Sequence, residues 1–190
     1  MNITSLIQVI ILLILIITLS GVELPGHSIP EEIENNYAIV EFDIDSGIIV
    51  YENGDVYDGP LVDGKREGEG IYIWTDGAMY IGLFKDNMKH GKNGLYIWSD
   101  GSSYEGDYEY DMKHGIGIYK FSNGDIYEGD FQNDTRTGYG TYTWANGEFY
   151  IGEFENNKMN GWGVYSWPSG RTLTGWFKDG AFVSFDKPSK

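Results

Sequence analysis

From Tyr57 onward the chain repeats itself five times. The segments YDGPLVDGKREGEGIYIWTDGAM, YIGLFKDNMKHGKNGLYIWSDGSS, YEGDYEYDMKHGIGIYKFSNGDI, YEGDFQNDTRTGYGTYTWANGEF and YIGEFENNKMNGWGVYSWPSGRT follow without a gap, their glycines and aromatics in phase. Four have 23 residues and the second has 24. A period of this length marks an array in which each unit is too small to bury its own apolar face and leans on its neighbour. The units run 57–79, 80–103, 104–126, 127–149 and 150–172, with a capping half repeat within 37–56 and a half repeat and tail over 173–190.

Each unit holds two short runs of period two and no pattern at i, i+3, i+4 and i+7, so the units read as β-hairpins. The dipeptides Asn53-Gly54, Asp76-Gly77, Asp100-Gly101, Asn123-Gly124, Asn146-Gly147 and Ser169-Gly170 predict tight two-residue type I′ turns. The DNMKHG-type segments, ending at glycines 68, 91, 115, 138 and 161, predict wider connections. The fold class that follows is all-β: an elongated, single-layer antiparallel meander of about a dozen strands. With 41% hydrophobic and 16% aromatic residues the chain is too apolar to stay disordered. It has no cysteine, so neither a disulfide framework nor thiolate chemistry is available.

Alternation puts Tyr127, Gly129 and Phe131 on one face, with Tyr142 and Trp144 of the next strand and their equivalents Tyr72 and Trp74, Tyr96 and Trp98, Tyr119 and Phe121, Tyr165 and Trp167. A ring can lie across the bare backbone of a neighbouring glycine, so the glycines are expected to be sockets for an aromatic ladder.

The pattern YxGxF, a loop ending KxHGxG, and an aromatic strand closing on DG or NG resembles the MORN (membrane occupation and recognition nexus) repeat. Residues 80–91, YIGLFKDNMKHG, and 104–117, YEGDYEYDMKHGIG, carry the likeness, which extends over about 47–177. The fourth and fifth units read DTRTGYG and NKMNGWG, without the His, so the resemblance assigns that His no required chemistry. The extra residue in HGKNG predicts a bulge in the second unit. The resemblance implies a scaffold at membranes or cytoskeletal structures, or an array appended to an enzyme. No kinase or methyltransferase segment accompanies the array in this chain.

The opposite face is uneven. The first units place Ile71, Ile73, Ile81, Leu83, Leu95 and Ile97 there, whereas the third and fourth place Glu105, Asp107, Lys120, Glu128, Asp130, Thr141 and Thr143. The six aliphatics are the candidate partner-binding half-face, to be covered by residues 37–42, a second copy, a partner or the curvature of the sheet itself.

His90 and His114 sit one unit apart without the further ligands a metal needs, their equivalents being Glu67, Thr137 and Asn160. Asp107 and Asp130 could be imagined as a carboxylate pair of a hydrolase, but they recur because the unit recurs. No catalytic, cofactor-binding or metal site is expected, and no cofactor. The net charge of −16 excludes a nucleic-acid partner, which needs the opposite sign. It also weighs against the anionic-lipid reading, whose candidates are Lys85, Lys89, His90, Lys92, Lys113 and His114 on the wide-turn edge. Asn133-Asp134-Thr135 is an N-glycosylation sequon.

No charged side chain precedes Glu23, and Val9 to Ile17 is unbroken apolar sequence. Residues 1–21 therefore read as a hydrophobic helix, either a signal peptide or a membrane anchor, and 22–36 as an acidic Pro/Gly linker. The expected protein is a non-catalytic, secreted or membrane-anchored array with its repeats on the extracytoplasmic side, binding a protein or its own copy.

Overall fold

The computed structural model describes residues 49–187. The expected N-terminal helix, the linker and most of the capping half repeat lie outside the described residues. The strands are β1 (Ile49–Val50), β2 (Val56–Asp58), β3 (Leu61–Val62), β4 (Lys65–Arg66), β5 (Gly68–Ile73), β6 (Met79–Lys85), β7 (Met88–Lys89) and β8 (Gly91–Ile97). They continue as β9 (Ser103–Glu109), β10 (Met112–Lys120), β11 (Ile126–Gln132), β12 (Thr135–Thr143), β13 (Phe149–Glu155), β14 (Lys158–Ser166), β15 (Thr172–Lys178) and β16 (Ala181–Ser184). All but β3 and β4 belong to one 14-stranded antiparallel sheet whose strands follow chain order, with β7 paired to β6. No helix occurs among the described residues.

Register is fixed by two rows that cross the sheet. Tyr57, Tyr72, Tyr80, Tyr96, Tyr104, Tyr119, Tyr127, Tyr142, Tyr150 and Tyr165 stand opposite one another on successive strands. Two residues away, glycine faces glycine from Gly94 to Gly175. The first tyrosine of each unit, Tyr57, Tyr80, Tyr104, Tyr127 or Tyr150, is completely buried. Its ring lies over the glycine of its own strand and that of the next. A Cβ on Gly106 or Gly117 would stand 2.5 Å from Tyr104, and one on Gly106 only 2.6 Å from the Gly117 Cα. The socket expectation is therefore met, and on both strands of the pair.

Phenylalanine could fill the same space, but the hydroxyl has its own task. Tyr57, Tyr80, Tyr104, Tyr127 and Tyr150 each donate to the carbonyl oxygen three residues on, at 3.0–3.1 Å. Each thereby satisfies a carbonyl beside the ring and removes the cost of burying its own hydroxyl.

The two turn classes are the reverse of the expected ones. At the six sites expected to be tight turns, from Asn53-Gly54 to Ser169-Gly170, only the glycine has positive φ, 82–90°. In the first of them Gly54 N–H donates to the Tyr51 carbonyl and Tyr51 N–H to the Asp55 carbonyl, both at 2.9 Å. That is a three-residue loop with the glycine in the left-handed position. The Asn or Asp before the glycine serves through its side chain: Asn53, Asp76, Asp100, Asn123 and Asn146 accept the N–H two residues on. The two-residue turns are instead at Asp86-Asn87, Tyr110-Asp111, Asn133-Asp134 and Asn156-Asn157, where both residues have φ of 48–72°, and at Asp63-Gly64 and Asp179-Gly180 at the two ends of the array. Asn and Asp tolerate that region without glycine, which is why the type I′ signal was hidden.

The extra width of these segments is a bulge at the following glycine, with register shifts at His114/Gly117, Gly129/Asp130 and Gly152/Phe154. In the second unit the shift spans Gly91/Gly94, and the added Asn93 adopts a φ of 57°. The expected irregularity is present, as an enlargement of a bulge the other units share.

Candidate interaction surfaces

The inner face carries a continuous aromatic rail. Tyr72, Trp74, Tyr96, Trp98, Tyr119, Phe121, Tyr142, Trp144, Tyr165 and Trp167 touch in chain order, with ring centroids 4.4–5.8 Å apart. Beneath it the buried tyrosines meet Phe84, Tyr108, Phe131, Phe154 and Phe177 edge to face. The buried layer is core. Except for Tyr72, which is buried, the rail is half-buried and presents ring surface to solvent.

A line of cations runs through the same face. Arg66 lies 4.6 Å from the Tyr72 ring centre, Lys89 5.5 Å from Tyr96, Lys113 5.6 Å from Trp98, and Arg136 5.2 Å from Tyr142. Met159 and Phe182 hold the equivalent places in the last two hairpins and pack on the same core. The position is therefore one where an apolar stem packs on rings and the head group emerges at the edge. Its signal in the sequence is the exchange of Lys or Arg for Met and Phe, two residues after each type I′ turn.

Those head groups are engaged. Lys89 pairs with Asp111 at 3.1 Å and Lys113 with Asp134 at 2.8 Å, each lysine side chain only 18% exposed. The same aspartates also accept the lysine backbone N–H groups, at 2.8 and 2.9 Å. Asp111 and Asp134 N–H return the bond to the lysine carbonyls. Asn87 clasps Arg66 and Asn157 clasps Arg136 in the same way. Of the candidate lipid-facing edge, Lys85 and Lys92 are exposed, while Lys89 and Lys113 are bound into a clasp between units. His114 lies 3.5 Å from Glu109, and the His90 ring is 5.1 Å from that of Tyr110. The six are thus not one basic strip. Among the described residues no three His, Asp or Glu side chains gather as metal ligands. Asn133 is exposed at the first position of its type I′ turn.

On the outer face the structure gathers five of the six aliphatics into adjacent cross-strand rows. Ile71, Ile81 and Leu95 form one, and Ile73 and Ile97 flank Met79 in the next. Leu83 packs apart from them, against Gly91. Ile71 is buried and the other five are half-buried. Apart from Val50 on the first strand, at 58%, the strongly exposed apolar residues of this face belong instead to the later units, among them Ile116 at 69%, Tyr139 at 55%, Ile151 at 41% and Trp162 at 38%. Alternation from Gly117, Gly140 and Gly163 places Ile116, Tyr139 and Trp162 on this face, but the sequence pattern did not show how exposed they are.

The acids beside them are bulge clamps. Asp130 accepts the Tyr139 backbone N–H at 2.7 Å and Glu153 accepts that of Trp162 at 3.2 Å. Asp107 lies against Gly115 at the corresponding point, the place Leu83 occupies against Gly91. At the three-residue loops Asp55 and Asp125 have another structural role. Asp125 accepts from the Tyr142 hydroxyl at 2.7 Å and Ala145 N–H at 2.9 Å, and these donors hold its carboxyl below the usual range against the opposing effect of burial. Burial, then the neighbouring carboxylate, pushes the Tyr72 and Tyr142 hydroxyls up to about 12.

The family profile described as MORN repeat matches residues 57–79, 80–103, 104–126, 127–149 and 150–170, more than half of the chain. A stretch of 46 residues, 24% of the chain, is 44% identical to a segment of the inactive protein tyrosine kinase pTKL of Plasmodium falciparum, isolate 3D7. The match covers 3% of that protein's length. Among solved structures, the SAS-4 (dCPAP) TCP domain of Drosophila melanogaster, in complex with a proline-rich motif of Ana2 (dSTIL), is similar over 69% of this chain and 71% of that one. Its identity is 16% and its TM-score 0.43. With the matched units coinciding with the repeating pairs of clasped hairpins, the chain belongs to the MORN repeat family.

Proposed function

We propose that the array is a non-catalytic interaction scaffold that holds a protein partner, or a second copy of itself, along the inner aromatic rail. The observation that carries this reading is the unbroken line of half-buried rings from Trp74 to Trp167. Aromatic rings offer large contact area at low entropic cost and are enriched at the centres of protein interfaces. The clasping of Lys89 and Lys113 favours a protein over an anionic membrane as the ligand, because their charge is already matched by Asp111 and Asp134. The use of Asp130 and Glu153 as bulge clamps weighs against a hydrolase in the same way. The apolar leader-like sequence before Glu23 supports export or membrane anchoring, with the repeats on the extracytoplasmic side.

A photo-crosslinking residue at Trp98 or Trp144 of the full chain, expressed in its host, tests the rail. The reading expects one defined adduct, absent when the crosslinker stands at Thr141 on the outer face and lost when the other rail tryptophan is replaced by alanine. A chain that sediments as a monomer and gives only diffuse labelling from both positions overturns it. Intact mass and fractionation test the leader: loss of the N-terminal segment or membrane retention supports export, and a full-length soluble protein refutes it.

A further inference from the structure

The outer face of units three to five has a regular arrangement that the inner rail does not explain. Ile116 stands opposite Asp130, Tyr139 opposite Glu153, and Trp162 opposite Trp176. The carboxylates bridge the remaining steps, Asp130 to the Tyr139 N–H and Glu153 to the Trp162 N–H. The result is one row across six strands, β10 to β15: Ile116, Asp130, Tyr139, Glu153, Trp162, Trp176. The row ends beside a hollow of about 330 Å³ whose lining includes Glu153, Glu155, Trp176, Lys178 and Val183.

We propose that this row is a docking surface for an extended segment bearing a lysine or arginine at every third residue. The proposal rests on the scaffold reading above but concerns the opposite face. Charge, exposed rings and spacing carry it.

The charge is one-sided, with Glu105, Asp107, Glu128, Asp130 and Glu153 on the outer face of β9 to β13 against Lys120, within a chain of net charge −16. Asp130 clamps through Oδ2 and Glu153 through Oε1, which leaves the second oxygen of each to receive a cation.

Exposed rings alternate with the acids, so each ammonium or guanidinium would meet a carboxylate while its methylene stem lies on Tyr139 or Trp162. The surface also already receives such a group, because Lys187 of the C-terminal tail sets its Nζ 5.4 Å from the centre of the Trp176 ring.

The spacing selects the conformation. Asp107, Asp130 and Glu153 recur on every second strand, about 9.6 Å apart at ordinary strand separation. A polyproline II segment advances about 9.3 Å in three residues and returns to the same face. A β-strand would turn every third side chain to the opposite side.

The probe is a peptide of three Lys-Pro-Ser units, titrated onto the full chain by tryptophan fluorescence and calorimetry. A peptide of the same composition with its lysines adjacent, and one of Glu-Pro-Ser units, serve as controls. The spaced peptide is expected to bind at least tenfold more tightly than either. Glu153→Gln with Asp130→Asn, which keeps an acceptor for each bulge N–H, should weaken it about tenfold, as should Tyr139→Ser with Trp162→Ser. Lys187→Ala should strengthen it by vacating Trp176. Equal binding of spaced and adjacent lysines, or no effect of the outer-face pairs in chains with unchanged near-ultraviolet circular dichroism, overturns the proposal. Trp144→Ala in the chain that carries the crosslinker at Trp98 separates the two readings. Loss of the crosslinked partner with unchanged peptide binding supports this one, and loss of peptide binding through that substitution refutes it.

Discussion

The Tyr104 hydroxyl donates to the Asp107 carbonyl oxygen at 3.0 Å, reaching over Gly106 to a strand residue that the ring itself helps to hold in place. The bond recurs in every unit, so Tyr104→Phe removes one neutral hydrogen bond and leaves the packing. A loss of about 0.5–1.5 kcal/mol is expected. Tyr104→Ala empties the socket and should cost about 3–5 kcal/mol, by analogy with other large buried rings. Urea denaturation of the two variants measures both.

Glycines fall into two groups with separate costs. At Gly106 a Cβ meets the Gly117 backbone at 2.6 Å and the Ile116 carbonyl oxygen at 2.7 Å, so Gly106→Ala must push β9 and β10 apart. At Gly101 nothing lies within 4 Å and only the φ of +84° resists alanine. The loop substitution should cost about 1–2 kcal/mol, the penalty of a left-handed residue, and the sheet substitution clearly more. Comparable denaturation midpoints for the two would contradict the close glycine contact.

Lys113 should behave as a core residue. Lys113→Met keeps the stem over Trp98 and Tyr119 and copies Met159, so its loss is expected to stay under about 1.5 kcal/mol. Lys113→Ala removes stem, cation–ring contact and ion pair together and should be the more damaging, measured by thermal unfolding at two salt concentrations. The methionine variant should also lose most of the salt dependence.

Stability should fall away on both sides of neutrality. The Asp125 carboxyl is held below its ordinary 3.8, mainly by the Tyr142 hydroxyl, so its stabilisation is complete above that value and vanishes as pH falls through the lower, folded one. Tyr142, raised from 10.0 to about 12 by burial, contributes fully below pH 10.0 and loses its contribution as pH rises towards 12. Asp125→Asn should flatten the acid side of a plot of urea midpoint against pH. An acid limb identical to that of the parent would show that the carboxylate is not held as described.

Tyr110 occupies a left-handed turn position, φ 48°, where the matching residues are Asp86, Asn133 and Asn156. Tyr110→Asn should relieve about 1 kcal/mol of backbone strain, reduced by the lost ring contact with His90. A raised melting temperature is the expected reading.

The sheet, its register and its sockets were legible because one period fixed which residues share a face, and Tyr127, Gly129 and Phe131 needed only alternation to be placed. The turn classes were not, because Asn-Gly is favourable in two loop geometries and the choice is made by hydrogen bonds such as Asn123 to the Asp125 N–H. The pairing of Lys89 with Asp111 and of Lys113 with Asp134 was hidden for a related reason: a lysine's name reports its head group, whereas its place is set by the stem. Tyr139 and Trp162 take the outer face by alternation from Gly140 and Gly163, but their exposure beside a two-residue bulge has no signature in the sequence.

Asn93 gives that bulge a further meaning. The second unit is one residue longer than its neighbours, yet Tyr80 still faces Tyr96 and Gly94 still faces Gly106. The bulge works as an expansion joint, where a single-codon slip during duplication of the gene can be taken up without moving the rest. An array built this way can grow by copying whole units and survive imperfect copies, provided the error falls between the type I′ turn and the glycine row.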